Sequence, residues 1–469
     1  MPGNDDTEAA SKRDLNSGPV GHALFRVSAP MSIGILGVLS VGLADAAFLA
    51  RAGQTELAAI GFIYPAIIAL TSLAIGMGAG TSAVVSQALG RSGGSDETSA
   101  RLALHALIFA FALGIAVALV FHFAAPFVFR LMGAKGAVME GILTYTPWWC
   151  ASFAPMVAGM GLNAVFRAGG ESRIAATVMT LQSLINIALD PIFIFGFWLV
   201  PALGIEGAGI ATFIARLLGA AGLLVFAMRT GRLSLSRDCL RGLDKTLARV
   251  TRIGAPAALS NAINPLGLSF VTAAVATLGD AAVGGFGAAT RVQSLFFVPM
   301  LALSAGIGPV VGQAWGADRR DRAQSATALT FLVCLGYGAV LCAALLAFAP
   351  WVAQLVTNGE APAGYASQYL RWVSVGFFGY GILVTANAAM NARDRALWSM
   401  SLSAGRIVLV YVPLAWAGVM VFGYAGILGA ALLANLLAAA AAILLCRAVG
   451  LLPRQPEPVE TAAQRLPGD

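Results

Sequence analysis

The sequence predicts an all-α integral membrane protein: twelve transmembrane helices in two pseudo-symmetric six-helix bundles around a cavity. Three observations carry this expectation. Hydrophobic residues make up 58% of the 469 positions and charged residues only 11%, with a mean hydropathy of +0.82. A soluble domain of this length needs more charge to cover its surface. The apolar residues gather in successive runs of about twenty or more, the length that crosses a bilayer core. The two halves of the chain also repeat one another at a constant offset.

The runs fall roughly at 26–50, 56–88, 102–132, 140–166, 173–200, 205–228, 248–277, 281–315, 322–354, 365–391, 397–421 and 424–449. All must be helices, because an open strand leaves backbone groups unpaired in lipid. The alternation of a barrel is absent. The first run holds Pro30 and Asp45, and the second a Gly76, Gly78, Gly80 series that predicts close helix packing. The third is apolar almost throughout. The fourth carries Tyr145 beside Trp148 and Trp149, which fits either an interfacial aromatic or a cavity wall. The fifth contains Asn186, Asp190 and Pro191, and the sixth Thr212. In the second half, Asn261, Asn264, Arg291, Gln293, Asn387 and Arg406 are the candidates for cavity lining. Arg291 and Arg406 need water or a partner at membrane depth; with no acid in the neighbouring spans, a hydrated cavity is expected there. Gln87 and Gln313 close the second and eighth runs just before glycine and read as helix-end hydrogen bonders.

Lys and Arg set the orientation. The even-numbered connections hold Arg91, Arg101, Arg167 and Arg173, a basic stretch from Arg229 to Arg252, then Arg319, Arg320, Arg322, Arg393 and Arg395. The odd-numbered ones hold only Arg51, Arg130 and Lys135. Both tails are therefore expected in the cytoplasm. The division that follows is a polar tail at 1–20, an N-lobe at 21–228, a linker at 229–247, a C-lobe at 248–450 and a polar tail at 451–469. Residues 1–20 have no apolar core and predict no cleavable leader.

An offset of 226 carries Pro30 onto Pro256, Gly53 onto Gly279 and Gly61 onto Gly287. It also carries VVSQALG at 84–90 onto VVGQAWG at 310–316. Asn163 and Ala164 fall on Asn387 and Ala388 at 224. Repeats with an even number of spans are parallel and enclose a cavity between bundles, the architecture of alternating access. Catalysis gives no reason for duplicated bundles, which counts against a membrane enzyme or receptor.

Other classes find little support. The net charge of +7 lies in short loops rather than on one stripe, so no nucleic-acid partner is expected. Cys150, Cys239, Cys334, Cys342 and Cys446 form no CxxC pair, and His22, His105 and His122 are scattered. There is no Gly-Lys phosphate loop and no HExxH. No cofactor is expected.

An ionised carboxylate in hydrocarbon persists only beside a cavity or a partner. Two acids stand out within spans, Asp45 and Asp190. Asn186 lies one helical turn before Asp190 on the same face. Pro191 cannot donate a backbone bond and frees a carbonyl nearby. Two carboxylates, an amide and a free carbonyl suit a hard cation or a proton relay. The repeat carries Asp45 onto Val271 and Asp190 near Val412 to Leu414, so the acids belong to the N-lobe alone.

Pro30 with Asp45, LAAIGF, VVSQALGR, VFRAGGESR, NIALDPIF, GIEGAGIAT and VVGQAWGA together resemble the multidrug and toxic compound extrusion (MATE) family over about residues 20–450. The resemblance implies two six-helix lobes in a V. It implies antiport of organic, often cationic or amphipathic, molecules against protons or sodium across a bacterial inner membrane, by a monomer in the lipid bilayer. The family's N-lobe cation site matches Asp45, Asn186 and Asp190, which would hold Na⁺ in a sodium-coupled member; Tyr145 and Thr212 match in looser flanks. Absence of an acid in the seventh and tenth runs places the chain nearer the DinF-like branch than NorM. The alternative expectation is a flippase for lipid-linked saccharides, which predicts cavity cations such as Arg291 and Arg406.

Overall fold

The computed structural model describes residues 14–92, 96–198, 200–233, 239–357 and 359–453. Most of the N-terminal tail, the centre of the expected linker and most of the C-terminal tail lie outside them. Twelve helices among the described residues are long and apolar enough to cross a membrane. We number them α1 (Val20–Ala52), α2 (Gln54–Arg91), α3 (Asp96–Leu131), α4 (Gly136–Ala168), α5 (Ser172–Phe195) and α6 (Ile205–Arg229) in the first lobe. The second lobe holds α7 (Leu243–Ala276), α8 (280–316), α9 (Arg320–Val356), α10 (Glu360–Ala392), α11 (Ala396–Phe422) and α12 (Tyr424–Ala448). At 1.5 Å per residue the longer ones exceed a hydrocarbon core of about 30 Å and project beyond it.

Four spans depart from the uniform helices expected. The fifth ends at Phe195 rather than near 200. Gly196 there has φ 81°, and a tight turn pairs the backbones of Phe197 and Val200. The eighth is two pieces, Asp280–Phe296 and Val298–Gly316, with Pro299 starting the second. The tenth contains a 3₁₀ turn at Ser374–Gly376. The eleventh widens into a π turn at Gly405–Tyr411. Pro413 follows that turn and cannot donate to the carbonyl four residues back, so the regular ladder is interrupted there.

The packing repeats as the sequence does. In the first lobe α1 packs on α5, α2 on α4, α3 on α4, α4 on α6 and α5 on α6. Each pair recurs six helices later, as α7 on α11, α8 on α10, α9 on α10, α10 on α12 and α11 on α12.

Between lobes the main contacts among the described residues are α1 with α8, its counterpart α2 with α7, and α2 with α8. Small residues allow them. A Cβ on Gly76 would stand 2.6 Å from Ala258 Cβ, and one on Gly80 2.6 Å from the Val250 carbonyl. A Cβ on Gly306 would collide with Ser28. A residue can touch its own repeat mate only on the axis relating the repeats. The Ser86 side chain lies against Gly312, its mate at 226, so the axis runs between α2 and α8 there.

These contacts lie in the helix halves nearest the face that carries residues 14–20 and the end of α12, here the terminal face. In α2, residues 72–90 are nearly all buried, whereas 54–71 contribute only Ala59 and Ile63. The lobes join at the terminal face and diverge from it as a V.

Candidate functional site

Small residues draw α1 onto α5. A Cβ on Gly34 would lie 3.3 Å from Ala176 Cα, and one on Gly37 3.2 Å from Ser183 Oγ. The two helices run in the same direction from the terminal face. Eight residues on from Gly37 is Asp45, and seven on from Ser183 is Asp190. The structure brings these two carboxyls within hydrogen-bonding reach of each other. They sit in the half of the lobe away from the terminal face rather than at mid-span, seven residues before the end of α1 and five before the end of α5.

Asp190 is fully buried, and neither of its side-chain oxygens receives a hydrogen bond. Asp45 Oδ1 and Asn186 Oδ1 are also buried without a donor. Asn186 Nδ2 donates a long bond of 3.5 Å to Thr212 Oγ1 on α6. Tyr145, from α4, is buried in the core of the lobe and close enough to feel the charges of Asp45, Asp190 and Arg216. All five N-lobe candidates therefore gather where α1, α4, α5 and α6 meet.

Sequence reading passed over Arg216. It is the one cation inside the sixth apolar run, and that isolation was the available signal. The structure ties it to α4: its guanidinium donates to Ser152 Oγ at 2.8 Å and lies 5.7 Å from the Trp149 ring centre. It is near enough to Asp45 to act on it electrostatically but forms no ion pair with either acid among the described residues. The carboxyl pair thus has a cation at longer range and no donor on its inward oxygens. Buried polar atoms are rarely left so. A proton shared between the two, or a hard cation among the four orphan oxygens, satisfies the site. Among the described residues, no group of three or more His, Cys, Asp or Glu could hold a metal, so any ion must be taken by the two acids with neutral oxygens.

The C-lobe candidates behave otherwise. Arg406 finds partners where no acid is available: its Nε and Nη2 donate to Asn435 Oδ1 at 3.1 and 2.9 Å, and its Nη1 to Asn264 Oδ1 at 2.9 Å. The rings of Tyr380 and Tyr411 flank it at 5.4 and 6.0 Å. Amides and aromatic faces replace the missing acid. Gln293 accepts from the Tyr369 hydroxyl at 2.7 Å, Asn387 donates to Ser403 Oγ at 2.9 Å, and Asn261 bonds the Ala257 carbonyl of its own helix. Arg291 alone of the six is exposed, on a face of α8 shared with Gly284 and Ser294.

Gln87 and Gln313 do bond helix ends, but across the lobes. Gln87 Nε2 donates to the Ala392 carbonyl closing α10, at 2.5 Å. Gln313 Nε2 donates to the Ala168 carbonyl closing α4, at 2.7 Å. Each orphan carbonyl at a helix C-terminus is filled by the opposite lobe. Gly90 packs on the Gln313 backbone and Gly316 on the Gln87 backbone, where any Cβ would collide. This reciprocal crossing accounts for the duplicated Gln-x-x-Gly. Arg249 adds bonds to Gln87 and, at 2.7 Å, to Asp394. The linker is anchored as well: Arg232 is buried against Glu171 at 2.6 Å, and buried His105 reaches the Cys239 carbonyl and Thr246.

Comparison with known proteins agrees with this arrangement. The MatE family model matches residues 30–192 and again 256–417, so its two matches begin at Pro30 and at Pro256, 226 positions apart. The FAD transporter of Shewanella oneidensis is 33% identical over 431 residues, spanning 91% of this chain and 94% of that protein. The multidrug export protein MepA of Staphylococcus aureus is 24% identical over 433 residues, 91% of this chain and 93% of that one. A mutant form of the Vibrio cholerae MATE transporter VcmN superposes with a TM-score of 0.87 at 28% identity, covering 95% of this chain and 99% of that chain. Both halves answer to one model in the register that the lobes show in space, and the protein belongs to the MatE family of membrane transporters.

Proposed function

We propose that the chain is a secondary active exporter that exchanges small organic molecules for H⁺ or Na⁺ by alternating access, with Asp45 and Asp190 as the coupling pair. One observation carries the reading: two adjacent carboxyls, Asp190 fully buried and Asp45 half-buried, with three buried oxygens that have no donor. Like charges so close and so poorly hydrated repel strongly, and a proton or cation between them removes the repulsion. Binding is therefore worth most when the pair is charged and sealed from water, and it makes the N-lobe's preferred packing depend on occupancy. Asn186 and Thr212 supply neutral oxygens beside the acids, and Arg216 sets the field they sit in. The membrane potential adds about 2.3 kcal/mol per charge per 100 mV.

The basic connections put both chain ends in the cytoplasm. The terminal face then closes the cytoplasmic side, and the V opens outward. Uptake of the ion from outside neutralises the pair; release inside restores the charge.

The test is efflux from proteoliposomes under an imposed pH gradient and, separately, an imposed Na⁺ gradient. Asp45→Asn and Asp190→Asn proteins should fold normally and lose nearly all gradient-driven export. Full export by either variant refutes the assignment. The gradient that supports transport by the unaltered chain identifies the ion.

A second reading of the cargo is favoured by similarity over nine-tenths of the chain to a protein named as an FAD transporter. In that reading the exported molecule is an aromatic dinucleotide rather than a cationic drug. The flippase alternative predicted cations lining the cavity; Arg406 is engaged by Asn264 and Asn435, which leaves Arg291 alone in that role.

A further inference from the structure

On the terminal face, beside the lobe seam, lies a recess of about 630 Å³ lined by Lys245, Arg249, Arg252, Trp315, Arg393, Asp394 and Arg395. Its lining holds five cations and one carboxylate. Lys245, Arg249 and Arg252 project from one face of the first turns of α7, at the spacing that aligns side chains on a helix. Arg393 and Arg395 come from the turn between α10 and α11, where Asp394 adopts φ 61°. Arg91 and Arg320 act on the group electrostatically from outside the lining.

A cluster of cations is normally spread through solvent or answered by acids. Here the single lining acid is half committed: Asp394 Oδ2 accepts from Arg249 at 2.7 Å, while its Oδ1 is buried without a donor, so one carboxylate faces five cations. Arg393 lies over the Trp315 ring at 4.3 Å, and its Nη1 is buried with no hydrogen-bond partner. Burial, then the charges of Arg395 and Arg320, hold the Arg393 guanidinium below its ordinary range. The recess is thus short of anions at a defined atom, and an indole forms one wall. Guanidinium forks match phosphate oxygens in pairs. The indole, with Arg393 and Arg320 over its ring at 4.3 and 5.7 Å, adds an apolar wall beside the guanidinium groups.

We propose that this recess binds a phosphate-bearing organic anion arriving at the terminal face, and that its occupant competes with Asp394 and Gln87 for Arg249. Arg249 belongs both to the recess and to the seam. It bonds Gln87 of the opposite lobe, and Gln87 in turn holds the carbonyl that closes α10. An anion that draws Arg249 into the recess weakens that tie, so capture on this face favours its opening. The chemistry is that of a phosphodiester or pyrophosphate. Two sources carry it: a dinucleotide solute, as the second cargo reading requires, or an anionic lipid headgroup. The inference deepens the export reading by naming a cargo chemistry, and it is independent of which ion drives export.

The experiment uses the full chain in nanodiscs of phosphatidylcholine, with binding of FAD, inorganic pyrophosphate and riboflavin measured by calorimetry. Saturable binding of FAD or pyrophosphate, absent for riboflavin and weakened at least tenfold in a Lys245→Gln, Arg252→Gln double variant, supports a solute site. The Lys245→Arg, Arg252→Lys protein should retain it, which separates lost charge from lost fold. Retention of phosphatidylglycerol in native mass spectra, lost in the same Gln variant and without solute binding, supports the same site filled by a headgroup. Binding of neither, or binding undiminished in the Gln variant, overturns the proposal. Asp45→Asn protein should still bind saturably and lose that binding in the same Gln variant, whatever its transport, so failure of the coupling assignment and failure of this site read out separately.

Discussion

Replacing Gly76 by Ala should move the lobes apart at the terminal face without disturbing either lobe. Gly76 lies where α2 crosses α7. An added Cβ would stand 2.6 Å from both Ala258 Cβ and Ala258 N, and closer still to the Gly254 carbonyl. Carbon atoms in contact prefer about 3.5–4.0 Å, so the helices must separate by roughly 1 Å. The obstacle is backbone, which cannot swing aside as a long side chain would. Overpacking of this kind costs about 1–3 kcal/mol. The contact joins different lobes, so the penalty falls on the closed arrangement alone. A coupling of that size shifts a two-state population by about 5- to 150-fold. Spin labels at Arg229 of α6 and Arg447 of α12, both exposed on the terminal face, report the distance between lobes by double electron–electron resonance in a background without native cysteines. The Gly76→Ala protein should show a new population at longer distance. Gly78 provides the control: its Cβ would find nothing nearer than 3.6 Å, so Gly78→Ala should leave the distribution unchanged. Identical distributions for Gly76→Ala and the unaltered chain, both folded, would refute the reasoning that this crossing is a closing contact.

Gln87→Ala and Gln313→Ala each remove an interlobe hydrogen bond to a helix-terminal carbonyl, worth about 1 kcal/mol, and Gln87→Ala also removes the acceptor of Arg249; their effects on the same label distance should add in the direction of Gly76→Ala, with Gln87→Ala the larger. Gln313→Ala should also speed amide exchange at Leu15, whose N–H donates to Gln313 Oε1 at 2.9 Å. Arg406→Lys loses the planar fork shared between Asn435 and Asn264 and should lower the thermal midpoint, whereas Asp45→Asn should not. Arg232→Leu strips Glu171 of an ion pair at a buried guanidinium and should cost about 3 kcal/mol of stability, seen as a lower thermal midpoint with unchanged lobe distances.

The number of spans, the lobes and the register between them were legible in the sequence because each rests on a quantity that runs along the chain: apolar length, loop charge and a constant offset. That Asp45 and Asp190 are unusual was legible for a related reason, since a carboxylate in an apolar run is anomalous without any knowledge of its neighbours; Asn186 followed from its place one turn before Asp190. What failed to show was partnership between helices. Spacing places a residue on a face but does not say which face it meets, so nothing along the chain marks Asn435 of α12 as the partner of Arg406. Arg216 escaped notice although it is as anomalous as the acids, because its partners Ser152 and Trp149 look ordinary on their own helix. The break at Phe297 and the π turn before Pro413 are local backbone choices that apolar length averages away.

Symmetry and asymmetry divide the labour in this molecule. The seam is symmetric: Gln87 and Gln313 reciprocate, Gly90 and Gly316 reciprocate, and Ser86 meets its own mate on the axis. A symmetric seam by itself favours neither lobe. The bias must come from what differs, and the buried acids differ most, because the C-lobe has none in the equivalent places. Between acid and seam runs α1, with Asp45 near one end and Ser28 against Gly306 of α8 near the other. Pro30 lies between them and cannot donate to the carbonyl of Arg26. That carbonyl instead accepts from Ser172 Oγ, in the first turn of α5, at 2.9 Å. The two helices therefore meet near both ends, through this bond at the terminal face and side by side at Asp45 and Asp190 beyond it. In the proposed coupling, a change in charge at Asp45 and Asp190 would act on α1 and α5 together, and Ser28 is one contact through which they would bear on the opposite lobe.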